Sequence, residues 1–193
     1  MALILASQSP RRQQLLRQIG LEFTVRAADI DETMAPGLLP QDAVADISAR
    51  KAAAVAAVSA PEDVILAADT VVVAENAILG KPKTPAQAAE MLRLLSGKEH
   101  FVMTGVTVRQ GARCESYTEI TRLRFRTLSE AEIAAYVATG DPMDKAGAYG
   151  IQGLAAVFVT SLDGDYFNVM GLPLCSLTAR LRRFGVAVLG EKG

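Results

Sequence analysis

The 193-residue chain predicts an α/β fold in which a mixed β-sheet is flanked by helices. Three observations carry that expectation. Short apolar runs alternate with helix-like stretches along the whole chain. Residues 64–73 are almost unbroken in apolar character, as in a strand covered on both faces. Two longer β segments, 101–109 and 116–126, are separated by Gln110-Gly111-Ala112, a hairpin turn. Helical crossovers imply parallel pairs and a hairpin implies an antiparallel one, so the sheet is mixed.

The elements follow in order. Ala2-Leu3-Ile4-Leu5 predicts the first strand. A helix comes next, with Ser9 at the N-cap, Pro10 as first helical residue and Gly20 closing it. Residues 23–26 predict a second strand, before an acidic loop, Asp29-Ile30-Asp31-Glu32-Thr33, that ends in turn residues around Pro36-Gly37. Pro40 opens an alanine-rich helix to about residue 59. After the strand at 64–73, Gly80-Lys81-Pro82-Lys83 is a loop and Thr84-Pro85 restarts a helix that ends near Ser96-Gly97. Beyond the hairpin, Ser129-Glu130-Ala131-Glu132 is a capping box for a helix that Gly140-Asp141-Pro142 ends. Residues 155–160 predict a last strand and 173–184 a closing helix. With no repeat and no linker, the expectation is a single domain over residues 1–193, built as one lobe or two.

Composition narrows the function. A formal net charge of −1 gives no global field for nucleic acid, so the basic residues must act locally. No apolar run is long enough for a membrane span, and Met1-Ala2-Leu3 opens no signal-peptide pattern. A cytoplasmic protein with neither membrane nor nucleic-acid partner is expected. Cys114 and Cys175 are far apart in sequence and are expected to be ordinary buried thiols. His100 is the single histidine, which argues against a histidine triad or a multi-histidine metal site. A bound metal would rest on carboxylate oxygens, which points to Mg²⁺ or Mn²⁺.

The most informative stretch is Ser7-Gln8-Ser9-Pro10-Arg11-Arg12. A helix N-terminus presents unpaired N–H groups and the positive end of the dipole. Two arginines in that first turn work against the dipole, and an anion held there resolves the conflict. Ser7, Ser9, Arg11 and Arg12 are therefore candidate phosphate ligands, against a solvated basic helix start. Asp69 interrupts the apolar run of the third strand, where a lone carboxylate costs several kcal/mol unless it is paired or holds a cation. Its candidate roles are general base and metal ligand, against a carboxylate at a strand end bonded only to backbone. The first strand delivers the Ser7 turn at its carboxyl end, where open α/β sheets place ligands. Lys51 and Lys81 are further phosphate candidates, against simple solvated lysines, and Glu32 is a second candidate metal ligand with Asp69. Cations to neutralise charge with carboxylates to hold a metal and activate water suit phosphoryl chemistry.

On these residues the chain resembles the Maf family of nucleoside triphosphate pyrophosphatases, within it the subgroup acting on dTTP and UTP. The matching stretches are the Ser7 to Arg12 turn, Ala67-Ala68-Asp69-Thr70-Val71-Val72, Gly80-Lys81-Pro82, Asp144-Lys145-Ala146-Gly147-Ala148-Tyr149-Gly150-Ile151-Gln152-Gly153 and Asn168-Val169-Met170-Gly171-Leu172-Pro173. They occur in the family's order across essentially the whole chain, and the 145–153 block marks the subgroup. Two departures are Gln8, where a small residue is common, and Asp165, where serine is common.

The resemblance implies a Maf/ITPase-like fold, elongated with a central cleft, and a homodimer. It implies hydrolysis of a nucleoside triphosphate to the monophosphate and pyrophosphate with a divalent metal, as house-cleaning of nucleotide pools. Asp69 would be the proton acceptor, and Arg12, Thr70 and Gln152 the residues linked to base selection. Arg12 thus carries two readings, phosphate and base, which one guanidinium can serve together. The amide of Gln152 suits the imide edge of thymine or uracil. Two other functions stay open: a broader pyrophosphatase for modified nucleotides, and a nucleotide-binding regulator of cell division without significant catalysis.

Overall fold

The structure is a computed structural model and describes residues 1–190. The chain begins with β1 (Leu3–Leu5), α1 (Pro10–Gln18), β2 (Thr24–Val25) and α2 (Pro40–Ala56). It continues through β3 (Val64–Ala74), β4 (Ala77–Leu79), α3 (Pro85–Leu95), β5 (Glu99–Gln110) and β6 (Arg113–Phe125). The last part holds α4 (Glu130–Ala138), β7 (Val159–Asp163), α5 (Tyr166–Val169) and α6 (Leu174–Arg183). Helix starts follow local chemistry. A proline opens α1, α2 and α3, where its missing N–H would find no intrahelical partner anyway. Ser129 and Glu132 close the expected capping box on α4, each side chain accepting the other residue's backbone N–H. Ser9 stands at the N-cap of α1 as expected, but its hydroxyl makes no capping bond.

The sheet has seven strands and is mixed. Its order is β2-β1-β3-β5-β6-β7, with β4 against β3. β1 lies parallel to β2 and β3, while β4 on β3 and β7 on β6 are antiparallel. The chain divides into two compact units, each assembled from separated segments. The first comprises Met1–Asp69, Thr104–Glu119 and Gly171–Gly193, and the second Thr70–Met103 and Ile120–Met170. In the first, Ile4, Ala6, Ile65 and Ala67 pack with Ala52 and Val55 of α2. In the second, α3 and α4 bury Leu92, Leu95, Ile133 and Tyr136 around Phe125 and Phe158.

Two expectations are corrected and one element is added. Residues 155–160 are not one strand: Leu154–Phe158 form a 3₁₀ helix and β7 begins only at Val159. Ala155 and Phe158 are buried while Leu154 and Val157 are exposed, the three-residue period of a 3₁₀ turn. The short helix α5 is an addition, and Asp165 explains it: its Oδ1 accepts the N–H groups of Phe167 and Asn168 at 2.7 and 3.3 Å. Aspartate and serine both serve as N-caps, so this departure from the family's usual residue keeps the job. Cys114 and Cys175 are exposed, not buried. Cys114 lies at the open hairpin end of β6, and Cys175 lies off the buried Leu174, Leu177, Leu181 stripe of α6.

His100 is fully buried in the second unit. Its Nε2 pairs with the Tyr149 hydroxyl at 2.8 Å, and its ring stands edge-on to Phe125 at 4.8 Å. Nδ1 has no hydrogen-bond partner among the described residues. An imidazolium there would carry a desolvated, unmatched proton, so burial lowers the pKa from 6.5 to about 4. The unfolded chain takes up that proton near pH 6.5 and the folded chain only near 4. The stability contributed by neutral His100 is therefore complete above pH 6.5 and lost as the pH falls toward 4. The loss is on the order of 3 kcal/mol. Urea unfolding between pH 7 and 4.5 should show that decline in the wild type and a flatter curve in His100→Gln, whose amide can still reach Tyr149. Identical slopes would assign the decline to other groups.

Candidate active site

The turn after β1 is set by the sheet. Ala6 extends the β1–β3 ladder with one more bond, its N–H to the Leu66 carbonyl at 2.7 Å. The chain then leaves the sheet at Ser7, whose Oγ accepts the Ser9 N–H at 3.2 Å and so shapes the turn into α1. The same oxygen accepts from the Arg12 Nη1 at 3.1 Å. Arg12 is buried, and its Nε donates to the Gly171 carbonyl at 2.8 Å. Burial pulls the Arg12 pKa below its ordinary value, and Arg11 adds to the pull. Asp69 and Glu32 oppose it. Arg11 itself is half-buried.

Asp69 occupies the middle of β3, an interior strand, not a strand end or a sheet edge. β3 pairs with β1 as far as Leu66 and with β4 from Val72, so Asp69 falls between the two paired stretches. It sits on the carboxyl side of the end of β1, as does the Ser7 turn. Its side chain keeps 14% of its exposure, and Oδ1 accepts from Lys51 Nζ at 2.8 Å. The Lys51 side chain is only 9% exposed, and its ammonium also lies 3.1 Å from Glu32 Oε2.

Lys51, expected to reach phosphate, thus bridges the two carboxylates expected to bind metal. Its neighbour Arg50 explains how the acidic loop is held. Arg50 donates to Asp46 Oδ2 at 2.8 Å, to the Thr33 carbonyl at 3.0 Å and to the Asp31 carbonyl. Asp31 in turn accepts the N–H and hydroxyl of Thr33, bonds that hold its carboxyl below the usual range. Asp31 therefore builds the turn and Glu32 projects from it.

The remaining expected residues belong to the second unit. Thr70 directly follows Asp69 in β3 and is half-buried. Lys81 is exposed in the loop after β4, while the Gly80 carbonyl accepts the Gly147 N–H at 3.1 Å. That bond ties the Gly80-Lys81-Pro82 stretch to the 145–153 block. Gly147 has a φ of +67°, and a Cβ there would lie 2.8 Å from Val72, so no other residue fits without a shift. Gln152 is exposed in the same block.

Two contributors escaped sequence reasoning. Gly171 acts through its carbonyl and Arg50 through backbone contacts, and neither role is written in the residue type. The motif around Gly171 was the only signal. For a divalent metal, Asp69 and Glu32 supply hard oxygen donors that already share one cation, a donor set suited to Mg²⁺ or Mn²⁺ when phosphate oxygens and water complete the shell. No group of three or more potential protein ligands exists among the described residues.

The chain has known relatives. A dTTP/UTP pyrophosphatase of Geobacillus sp. (strain WCH70) is 51% identical over 183 residues, covering 95% of this chain and 98% of that protein. Another from Moorella thermoacetica is 50% identical over 98% of both chains. A solved structure, the Staphylococcus aureus Ham1 protein, shares the fold with a TM-score of 0.53 at 13% identity, over 94% of this chain and 98% of that one. The family model described as Maf-like protein matches residues 2–184, a span that takes in the Ser7 turn, Lys51, Asp69, the 145–153 block and Gly171 alike. The chain belongs to the Maf family.

Proposed function

We propose that the protein hydrolyses nucleoside triphosphates, dTTP and UTP first, to the nucleoside monophosphate and pyrophosphate. One observation carries the reading: a carboxylate inside an apolar strand, held by a buried ammonium next to a buried guanidinium, in a chain half identical to dTTP/UTP pyrophosphatases. The oxygen of water attacks the α-phosphorus, the bond from that phosphorus to the bridging oxygen breaks, and pyrophosphate leaves. Asp69 accepts the proton of the attacking water. Oδ1 is engaged by Lys51, so Oδ2 is the oxygen that takes it. Arg11, Arg12, Ser7 and Ser9 hold phosphate oxygens, with Lys51 and Lys81 as further cations. Asp69 and Glu32 would hold the Mg²⁺ or Mn²⁺, which when bound neutralises phosphate charge and polarises the reacting phosphoryl group. Gln152, Thr70 and Arg12 select the base. No described helix is long and apolar enough to cross a membrane. The same proposal places the enzyme in the cytoplasm, as a homodimer.

Asp69→Asn keeps the shape of the side chain and removes the proton acceptor, while Lys51 keeps Glu32. We expect kcat to fall roughly a hundredfold or more with substrate affinity retained. Near-normal pyrophosphate release by this variant would take Asp69 out of the mechanism. Chelation with EDTA should abolish turnover, and added Mg²⁺ or Mn²⁺ should restore it. Full activity after exhaustive chelation would dismiss the metal. Gln152→Ala should lower kcat/KM for dTTP and UTP about ten- to a hundredfold, because a polar group loses its partner. ATP and GTP should lose much less. An equal proportional loss on dTTP, UTP, CTP, ATP and GTP would show that Gln152 supports its loop without reading the base.

A further inference from the structure

Lys145 behaves unlike a surface lysine. Long charged side chains usually keep their head in water, yet this one is only 14% exposed. Its ammonium donates to the Asp141 carbonyl at 2.6 Å, to Asp141 Oδ1 at 3.0 Å and to Asp144 Oδ1 at 2.7 Å. Those three acceptors match its three donors. The other oxygen of Asp141, Oδ2, accepts the Tyr136 hydroxyl at 2.7 Å. That hydroxyl accepts the Gly150 N–H at 3.3 Å.

The lysine also lies across the Gly150 backbone, where a Cβ would come within 2.6 Å of its Cε. At the other end of the same turn, a Cβ on Gly153 would come within 3.2 Å of Asp141 Oδ2. The Gly153 N–H returns to the Gly150 carbonyl at 3.1 Å. The two residues inside that closed turn are Ile151 and Gln152. The network therefore meets both ends of the turn, while Gln152 projects exposed from it. A plain surface turn has no need of a lysine drawn largely out of water onto carboxylates that stay 33% and 62% exposed, which costs side-chain freedom and part of the ammonium's hydration. Fixing one conformation of the turn is what such a pair can supply.

We propose that Lys145, Asp141 and Tyr136 are positioning residues that hold the turn of Gln152, and through it set how strictly the enzyme prefers dTTP and UTP. This rests on the reading of Gln152 given above. The test is kcat and KM for dTTP, UTP, CTP and ATP in Lys145→Met, Asp141→Asn and Tyr136→Phe, alone and combined with Gln152→Ala. Amide hydrogen exchange over residues 150–153 is measured alongside. Tyr136→Phe removes one hydroxyl and keeps the ring, so it remains informative if Lys145→Met fails to fold.

The expected result is a roughly tenfold loss of kcat/KM on dTTP and UTP, mostly through KM, with ATP little changed. Exchange at 150–153 should quicken about tenfold. In the Gln152→Ala background the same substitutions should cost no further selectivity, because their effect passes through Gln152. An equal loss on all four substrates, or unchanged exchange together with unchanged selectivity, overturns the proposal. If Gln152→Ala alone proves indifferent to the base, the reading of Gln152 fails separately. The exchange data then still decide whether these residues hold the turn, and unchanged exchange overturns that too.

Discussion

The Lys51 ammonium between Asp69 and Glu32 is the interaction on which the site depends. β3 is apolar almost throughout its length, and a carboxylate in its middle is tolerable only with a partner. The partner comes from α2, with its own charge almost completely removed from water. Removing Lys51 would strand Asp69 inside the strand, at about 3–5 kcal/mol, whereas removing Asp69 leaves Lys51 its contact with Glu32. The pair thus ties α2 to β3 alongside the packing of Ala52 and Val55 on Ile65 and Ala67. Glu32 is reached from an irregular loop, which has no ladder to hold it. Arg50, next to Lys51 on the same helix, supplies that support by binding the loop's backbone. One dipeptide therefore holds both carboxylates.

Arg12 is the second constraint. A guanidinium stays charged even where burial disfavours it, so its donors must be matched. The Gly171 carbonyl and the Ser7 hydroxyl match two of them. Asp69 and Glu32 add electrostatic support. The carboxylates are thus flanked by cations from α1 and from α2. Positive charge thus reaches Asp69 from two separate elements, through Lys51 Nζ on Oδ1 and through the nearby Arg12 guanidinium.

Much of the fold was legible because its signals are local. Pro10, Pro40 and Pro85 mark helix starts by covalent chemistry, and Ser129 with Glu132 marks another by paired hydrogen bonds. The run at 64–73 announced a doubly covered strand. Residues 155–160 were misjudged because a short apolar run has no period until its neighbours choose one, and here the buried positions fell three apart. The exposure of Cys114 and Cys175 depends on which face each element turns inward, a tertiary matter. In the site, the charged residues were legible by type, and Asp69 by its misfit in an apolar strand. Lys51 as a bridge, Arg50 as a brace and Gly171 as an acceptor were not. Each acts through a spatial neighbour that is distant in sequence, and two of the three act on backbone atoms that every residue possesses.

The charged residues around Asp69 and the exposed Gln152 are carried differently. Asp69, Lys51 and Arg12 sit on a strand and two helices, where hydrogen-bonded backbone fixes each Cα and packing fixes each rotamer. Gln152 sits on a turn between 3₁₀ segments, where backbone bonding alone leaves more freedom. Side chains meet that turn instead: the Lys145 ammonium donates to Asp141, Asp141 accepts the Tyr136 hydroxyl, and that hydroxyl accepts the Gly150 N–H. Strand and helix backbone thus hold Asp69, Lys51 and Arg12, whereas side-chain hydrogen bonds meet the turn that presents Gln152.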